Sequence, residues 1–289
     1  MNVTASAWPQ ALGQHRLPRC STSMRAPRAP VQPVVDTIHS EALKISIITV
    51  AYNSARTIGD TLRSVMAQTH PDIEHIVIDG GSSDDTLEVV RLEGAHVAHV
   101  VSEPDGGIYD AMNKGLRCAQ GDYVGFLNAD DVLADPDAIA SVVRAAQAQP
   151  DVIYGDLVYV ANDDLQRVVR SWKSGAFSRT SLKFGWMPPH PTFYVRRTST
   201  QALSGFDTSL NIAADYDFML RCLVTRPVTA AYVPRVLVRM RTGGASNGSV
   251  SAIARKSRED LRVIRRHGLD GWFTLACKNM RKIPQFIRK

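Results

Sequence analysis

Acidic and amide side chains recur just past runs of β-branched residues in this chain. Asp79 closes the run that begins at Ile73. Asp105 follows Val97 to Val101, inside Ser102-Glu103-Pro104-Asp105-Gly106-Gly107. Asn128-Ala129-Asp130-Asp131 follows Tyr123 to Leu127. A lone Asp after a strand is ordinarily a turn or cap residue. Three at successive strand ends, beside glycine turns, converge on one crevice. Their hard oxygens suit a divalent metal, Mn2+ or Mg2+. A metal held there would bridge a diphosphate and neutralise its charge as it leaves. Asp79 and Asp105 fit hydrogen bonds to a base or ribose better than direct metal contact. Asp84 and Asp85 suit the positive end of a following helix.

The elements that must position these residues are legible as far as about residue 135. Ile45 to Val50 reads as a buried strand from its β-branched run. Asn53 and Ser54 then offer N-caps for a helix carrying Ile58, Leu62, Val65 and Met66 at helical spacing. Ile73 to Asp79, Val97 to Val101 and Tyr123 to Leu127 read as further strands. Thr86 to Leu92 and the face Ile108, Met112, Leu116 read as helices between them. This alternation predicts an α/β fold, a Rossmann-like, mostly parallel sheet with helices on both faces. Ligands of such a sheet bind beyond the carboxyl ends of its strands. Beyond Asp135, Ala138 to Ala148 and Ala213 to Leu223 read as helices and Val152 to Val160 as a strand. The Trp-, Phe- and Pro-bearing stretch 171–192 gives no regular pattern.

Composition sets the bounds. The 289 residues are 44% hydrophobic and 21% charged, which suits one large domain with its own core. Cys20, Cys118, Cys222 and Cys277 are scattered without a C-x-x-C pair, so no zinc ribbon or thioredoxin-type motif is indicated. Residues 1–43 are rich in Pro, Ser, Ala and Arg without periodicity and read as a disordered leader. No apolar run approaches the roughly 20 residues needed to span a bilayer. The formal net charge of +6 is concentrated in 251–289, where eleven Lys and Arg face Glu259, Asp260 and Asp270. The remainder is slightly acidic, which argues against a general nucleic-acid binder.

Four stretches together resemble a family 2 glycosyltransferase with the A-type fold. They are residues 47–53 (Ile-Ile-Thr-Val-Ala-Tyr-Asn), residues 75–84 (His-Ile-Val-Ile-Asp-Gly-Gly-Ser-Ser-Asp), Asn113-Lys114-Gly115 with residues 119–123, and Leu127-Asn128-Ala129-Asp130-Asp131. The resemblance runs over residues 44–250. It implies that Thr49, Ala51 and Tyr52 line a nucleotide pocket, with Asp79 on the base and Asp105 near base and ribose. It implies that Asp130 is the metal ligand of the D-x-D motif. That motif here is Asn128-Ala129-Asp130, so its first Asp is Asn, and Asp131 stands as a substitute ligand. It further implies a catalytic base in Ala213-Ala214-Asp215-Tyr216-Asp217, assigned to Asp215, although Ala214 stands where the family has an acid. Such a base takes the proton of an acceptor hydroxyl as it attacks the anomeric carbon, and that single displacement inverts the centre. A nucleoside diphosphate sugar, by family default a UDP-sugar, is the implied donor. A glycan or lipid-linked molecule is the implied acceptor.

Two further features stay open at this level. His190, in Pro188-Pro189-His190-Pro191, fits either an acceptor-side or phosphate-side role or a structural turn. Arg241-Thr242-Gly243-Gly244-Ala245-Ser246 reads as a flap meeting the diphosphate or as a plain surface loop. Residues 251–289 read as a basic amphipathic helical tail. It suits either peripheral contact with an anionic membrane or packing on the catalytic domain. Membrane contact would place a cytoplasmic enzyme at the inner face of the cell membrane. Two competing functions are weighed. A sugar nucleotidyltransferase would carry a glycine-rich loop after the first strand, where Ala51-Tyr52-Asn53-Ser54 has none. An inactive, nucleotide- or partner-binding subunit would account for Asn128 and Ala214.

Overall fold

Strand pairing in the computed structural model follows the expected order for the first half of the chain. The structure describes residues 43–202, 204–224, 227–243 and 250–281. The expected leader therefore lies outside the described residues, except for Leu43. The first elements are β1 (Ile45–Ala51), α1 (Ile58–Met66), β2 (Ile73–Asp79), α2 (Thr86–Glu93), β3 (Val97–Ser102), α3 (Ile108–Cys118) and β4 (Tyr123–Phe126). β1 pairs in parallel with β2 and β4, and β2 with β3. The chain thus winds outward from β1 to β3 and returns to β4 on the other side of β1. That reversal opens a crevice at the carboxyl ends of β1 and β4.

The second half is mixed. It comprises β5 (Val132–Leu133), α4 (Ala138–Ala146), β6 (Val152–Val160), β7 (Val168–Trp172), α5 (Arg179–Lys183), β8 (Tyr194–Arg196), α6 (Arg197–Ala202), α7 (Ala214–Val224) and β9 (Ala230–Arg241). The sheet order is β3-β2-β1-β4-β8-β6-β9-β5, with β7 also on β6. β6 and β9 are parallel, whereas β8 is antiparallel to β4 and β6, and β5 to β9. Two-residue β5 matters most here: Val132 pairs with Arg239. That pairing brings the end of β9 beside the Asn128–Asp131 segment.

Apolar residues cover both faces of the central strands. Ile48, Val50, Ile76 and Ile78 meet Met112, Phe126, Phe193 and Phe218 on one side, and Ile45 and Ile47 meet Leu133, Ile139 and Val142 on the other. Burying each such side chain favours the fold by about 1.5–3 kcal/mol. α3 can lie this close to β1 because residue 115 is glycine; a Cβ there would run into the Ile48 side chain. β3 is the sheet edge and is largely exposed, so helical cover does not reach it. The expected caps also differ. α1 begins after Thr57 with no side-chain cap bond, while Ser54 contributes its carbonyl to the amides of Thr57 and Ile58.

The tail is built into this body through α8 (Val250–Arg266) and α9 (Gly271–Met280). Val263 and Ile264 are fully buried in the cluster that contains Phe218 and Leu220 of α7. Lys278 of α9 pairs with Asp260 of α8 at 2.7 Å and lies 3.4 Å from the Tyr216 ring centroid. Burial pulls its ammonium down to about 8, against the pull of Asp260. One side of each tail helix is therefore committed to the catalytic body.

Candidate active site

At the carboxyl ends of β1 and β2, the loops that follow are laced together. The Asn53 amide donates to Ser82 Oγ at 2.8 Å, and the Asn53 side-chain oxygen accepts from the Ser83 amide at 2.9 Å. Asn53 holds φ at 47°, a conformation that its side chain tolerates better than most. Ala51 sits buried at the end of β1, and its carbonyl accepts from Gly80 N–H at 2.9 Å. Tyr52, at 65% exposure, stands out over the crevice mouth.

Two residues assigned to this pocket do a different job. Thr49 is fully buried, and its hydroxyl meets His75 Nε2 at 2.9 Å. The two-residue period of the strand turns Thr49 inward with Ile47, so its side chain does not face a ligand. Asp79 is also fully buried. Its carboxylate accepts from the amides of Gly81 and Ser82 and from the hydroxyls of Ser82 and Ser102. Four donors from the chain itself occupy it, so it shapes the turn. Asp105 is a partly exposed carboxylate beyond β3. Its Oδ1 accepts from Gly107 N–H at 2.8 Å, and its Oδ2 rests where a Cβ on residue 80 would be. Gly80 thus leaves room for Asp105 at the crevice floor.

Beyond the carboxyl end of β4, Asn128 to Asp131 form a turn. Burial pushes the Asp130 carboxyl up, opposed by its own backbone amide and by Arg241. Asp131 is fully enclosed. Its carboxyl is pushed well up by burial and then by the Asp130 charge. Its oxygens accept from Asn128 Nδ2 at 3.3 Å and Arg241 N–H at 3.2 Å. That inward placement does not suit Asp131 as a substitute ligand; it pins the loop that presents Asp130. A partly buried carboxylate opposed by the charge of Arg241 could hold a hard divalent cation as a single protein ligand, since Mg2+-type sites complete their shell with phosphate oxygens and water. Among the described residues no group of three or more His, Cys, Asp or Glu is disposed as a metal cage.

Arg241 departs from the flap expectation. It ends β9 and is 7% exposed. Its Nη1 donates to the Asp130 carbonyl at 2.8 Å, and its Nη2 makes a short bond to Asp60 in α1. Burial alone would raise Asp60, but hydrogen bonds from Arg63 and Arg241 outweigh it and hold the carboxyl low. Arg241 therefore braces the Asp130 loop, and Gly244, Ala245 and Ser246 of the supposed flap lie outside the described residues. The Nε of Arg241 is buried without a partner among the described residues.

At the base end, Asp215 occupies the first turn of α7, partly exposed, with its Oδ1 on the Tyr216 amide at 2.7 Å. Asp217, two residues on, is 1% exposed and fully engaged by Arg221, Arg266 and His267. The structure thus separates two carboxylates that the sequence places side by side: Asp217 fastens α8, and Asp215 is left available. His190 is buried in a 3-10 turn (His190–Thr192), stacked on Phe126 at 5.2 Å. Burial lowers its pKa while Asp215 works in the opposite direction, so the two lie within electrostatic reach. Its Nε2 has no protein partner among the described residues, which favours a site role over a purely structural one.

Tyr159 on β6 joins the two ends. Burial raises its pKa, Arg170 stacked 4.1 Å from the ring centroid lowers it, and Asp131 and Asp215 both raise it. Both acidic motifs therefore lie within electrostatic reach of Tyr159. Sequence reasoning missed Tyr159, and it missed Glu259 of α8. Glu259 accepts from the amides of Asn211 at 3.2 Å, Ile212 at 2.8 Å and Ala213 at 3.0 Å, immediately before α7. Tyr109 closes the same corner by donating to the Ile212 carbonyl at 2.7 Å. Only an unexplained acid on a basic helix could have hinted at Glu259.

The family model described as "Glycosyl transferase family 2" matches residues 46–209. That span holds the crevice, Asp105, Asp130 and His190. The chain belongs to glycosyl transferase family 2. An uncharacterized glycosyltransferase of Mycobacterium tuberculosis is 38% identical over 193 residues, 66% of this chain and 73% of that protein. A PGL/p-HBAD biosynthesis glycosyltransferase of Mycobacterium bovis is 30% identical over 208 residues, 70% of this chain and 78% of that protein. Among solved structures, Staphylococcus aureus TarS residues 1–349 with UDP-GlcNAc superposes with a TM-score of 0.61 at 18% identity. It covers 85% of this chain and 72% of that one. Mannosyltransferase PcManGT from Pyrobaculum calidifontis, in complex with GDP-Man and Mn2+, gives 0.60 at 18% identity, covering 86% and 74%. At that identity the two structures speak for the fold, which is the A-type glycosyltransferase fold. The glycosyltransferase is thus an enzyme of sugar transfer, built on the sheet expected from its sequence.

Proposed function

We propose that the enzyme inverts an anomeric centre. It takes one sugar from a nucleoside diphosphate, a UDP-sugar by default, and passes it to a hydroxyl of a glycan or lipid-linked acceptor. What supports this reading is that Asp130 and Asp215 are both partly exposed carboxylates, and that Asp131, next to Asp130, and Asp215 both lie within electrostatic reach of Tyr159. Asp105 and Tyr52 receive base and ribose at the carboxyl end of the parallel strands. Asp130 holds Mn2+ or Mg2+, which when bound supplies positive charge to the diphosphate. Arg241 and Asp131 keep the Asp130 loop in place. Asp215 takes the proton from the acceptor hydroxyl as it attacks the anomeric carbon, opposite the leaving diphosphate. His190 offers its unpartnered nitrogen to the acceptor side of the cleft. The mycobacterial relative named for PGL/p-HBAD biosynthesis supports a role in glycolipid or polysaccharide assembly. The ligands named for the two solved structures support a nucleotide-sugar donor, and Mn2+ in one of them supports the metal. No helix among the described residues is long and apolar enough to cross a membrane. We place the enzyme in the cytoplasm, with peripheral contact at the inner membrane face.

Nucleotide release from UDP-, GDP- and dTDP-sugars, with Mn2+ or Mg2+, tests this reading. One donor should give metal-dependent release. Asp215→Asn should lower it by about 10²- to 10⁴-fold, the range of a lost general base. Asp130→Ala should abolish the metal dependence. Nucleotide binding with no turnover, unaffected by Asp215→Asn, would instead mark a non-catalytic subunit.

A further inference from the structure

α9 carries apolar residues on both of its sides. Thr274, Leu275 and Lys278 face the catalytic body and are buried. Trp272, Phe273 and Met280 point away from it, at 67%, 48% and 58% exposure. A helix with one side already packed has no structural need for a second apolar side, and a soluble surface disfavours one. Phe184, just past α5, extends this face; it is exposed and packs edge-on against Phe273 at 5.7 Å. The patch thus comes from two segments far apart in sequence, which argues against an accident of one helix's composition.

Cations frame it. Arg265 lies 5.8 Å from the Trp272 ring centroid, and Arg281 donates from Nε to the Phe184 carbonyl at 2.9 Å. Lys183 is exposed beside Phe184. Arg258, Arg262 and Arg265 are exposed at helical spacing along one side of α8, leading to Trp272. Of the acids in this segment, Glu259 and Asp260 are turned inward onto the α7 loop and Lys278, and Asp270 caps α9 by accepting from the Phe273 amide. Exposed aromatics with a rim of exposed cations match an interface whose headgroups are negative and whose interior is apolar.

We propose that Phe184, Trp272, Phe273 and Met280, with Lys183, Arg265 and Arg281, form a docking surface for an anionic lipid bilayer. This deepens the peripheral-membrane part of the function proposed above, and it rests on the lipid-linked acceptor reading. On the opposite side of α9, Lys278 stacks on Tyr216, the residue next to Asp215. Docking here sets the base helix one helix-width from the lipid surface that carries the acceptor.

The test is co-sedimentation of the full chain with vesicles of equal parts phosphatidylglycerol and phosphatidylcholine, against pure phosphatidylcholine, with no donor present. Silence in this assay and silence in the nucleotide-release assay are therefore separate results. Binding should require the anionic lipid and weaken with salt. Trp272→Ala and Phe273→Ala should each lower affinity roughly tenfold. Arg265→Gln and Arg281→Gln should each lower it about fivefold. All four lie on the outer surface, so unchanged thermal melts would keep the comparison valid. No binding to anionic vesicles, or equal binding by all variants, overturns the proposal. So would a dimer in light scattering that Trp272→Ala dissolves, which would assign the face to a second copy of the chain.

Discussion

Acidification should destabilise this enzyme through one buried imidazole. His75 lies in the middle of β2, fully enclosed, between Thr49 at 2.9 Å and His96 at 3.0 Å. Burial, and then the neighbouring His96, depress its pKa to about 3. In the unfolded chain the value returns to about 6.5. Between these two values the unfolded state binds the proton and the folded state does not, so stability rises with pH across the window. The contribution is fully present above about pH 6.5 and is lost progressively as pH falls toward 3. From pH 7 to pH 4.5 this one group should remove about 2.5 kcal/mol, taking 1.36 kcal/mol per pH unit below 6.5. His75→Gln keeps an amide oxygen near Nε2 to accept from Thr49 and does not titrate. Urea unfolding of both proteins at the two pH values measures the difference. The wild type should lose about 2.5 kcal/mol more than the variant between pH 7 and 4.5. Equal losses in the two proteins would show that His75 is not held neutral by burial and would refute the reasoning.

Two other outcomes follow from how α8 grips the base helix. Glu259→Ala strips three amides before α7 of their acceptor, so kcat should fall by roughly 10²-fold through misplacement of Asp215 while nucleotide affinity stays within about twofold. Glu259→Asp should recover part of that loss in a steady-state assay with saturating donor. Asp217→Ala leaves Arg221, Arg266 and His267 facing a buried void, so urea unfolding should show a loss of about 3–5 kcal/mol. Asp215→Asn should leave stability nearly unchanged, separating the two neighbouring acids.

The first four strands were legible because each is a β-branched run followed by a turn and a helical period. The second half was not, since β5 and β8 are only two and three residues long and are defined by distant partners. Local pattern cannot announce a strand whose existence depends on pairing with residue 239. The site shows the same division. Asp105, Asp130 and Asp215 are partly exposed, each beyond or at the start of the element its motif predicts. Thr49 and Asp79 belong to the right motifs, but strand pleat and turn hydrogen bonds decide which way a side chain points, and both point inward. Arg241 was expected on a flap because glycines follow it, yet its place at the end of β9 commits it to Asp60 and the Asp130 loop. Glu259 was out of reach because its partners lie 46 to 48 residues away in sequence. Of the tail, one side packs on the body, and aromatic residues remain exposed on the other.

The central claim is a metal-assisted nucleotide-sugar site built around Asp130. Calorimetric titration of UDP, GDP and dTDP into the enzyme, with and without Mn2+, addresses it most directly. The account predicts that one of these nucleotides binds, that binding tightens when Mn2+ is added, and that Asp130→Ala removes the Mn2+ effect while leaving the fold intact. Failure of all three nucleotides to bind in the presence of Mn2+ would contradict it.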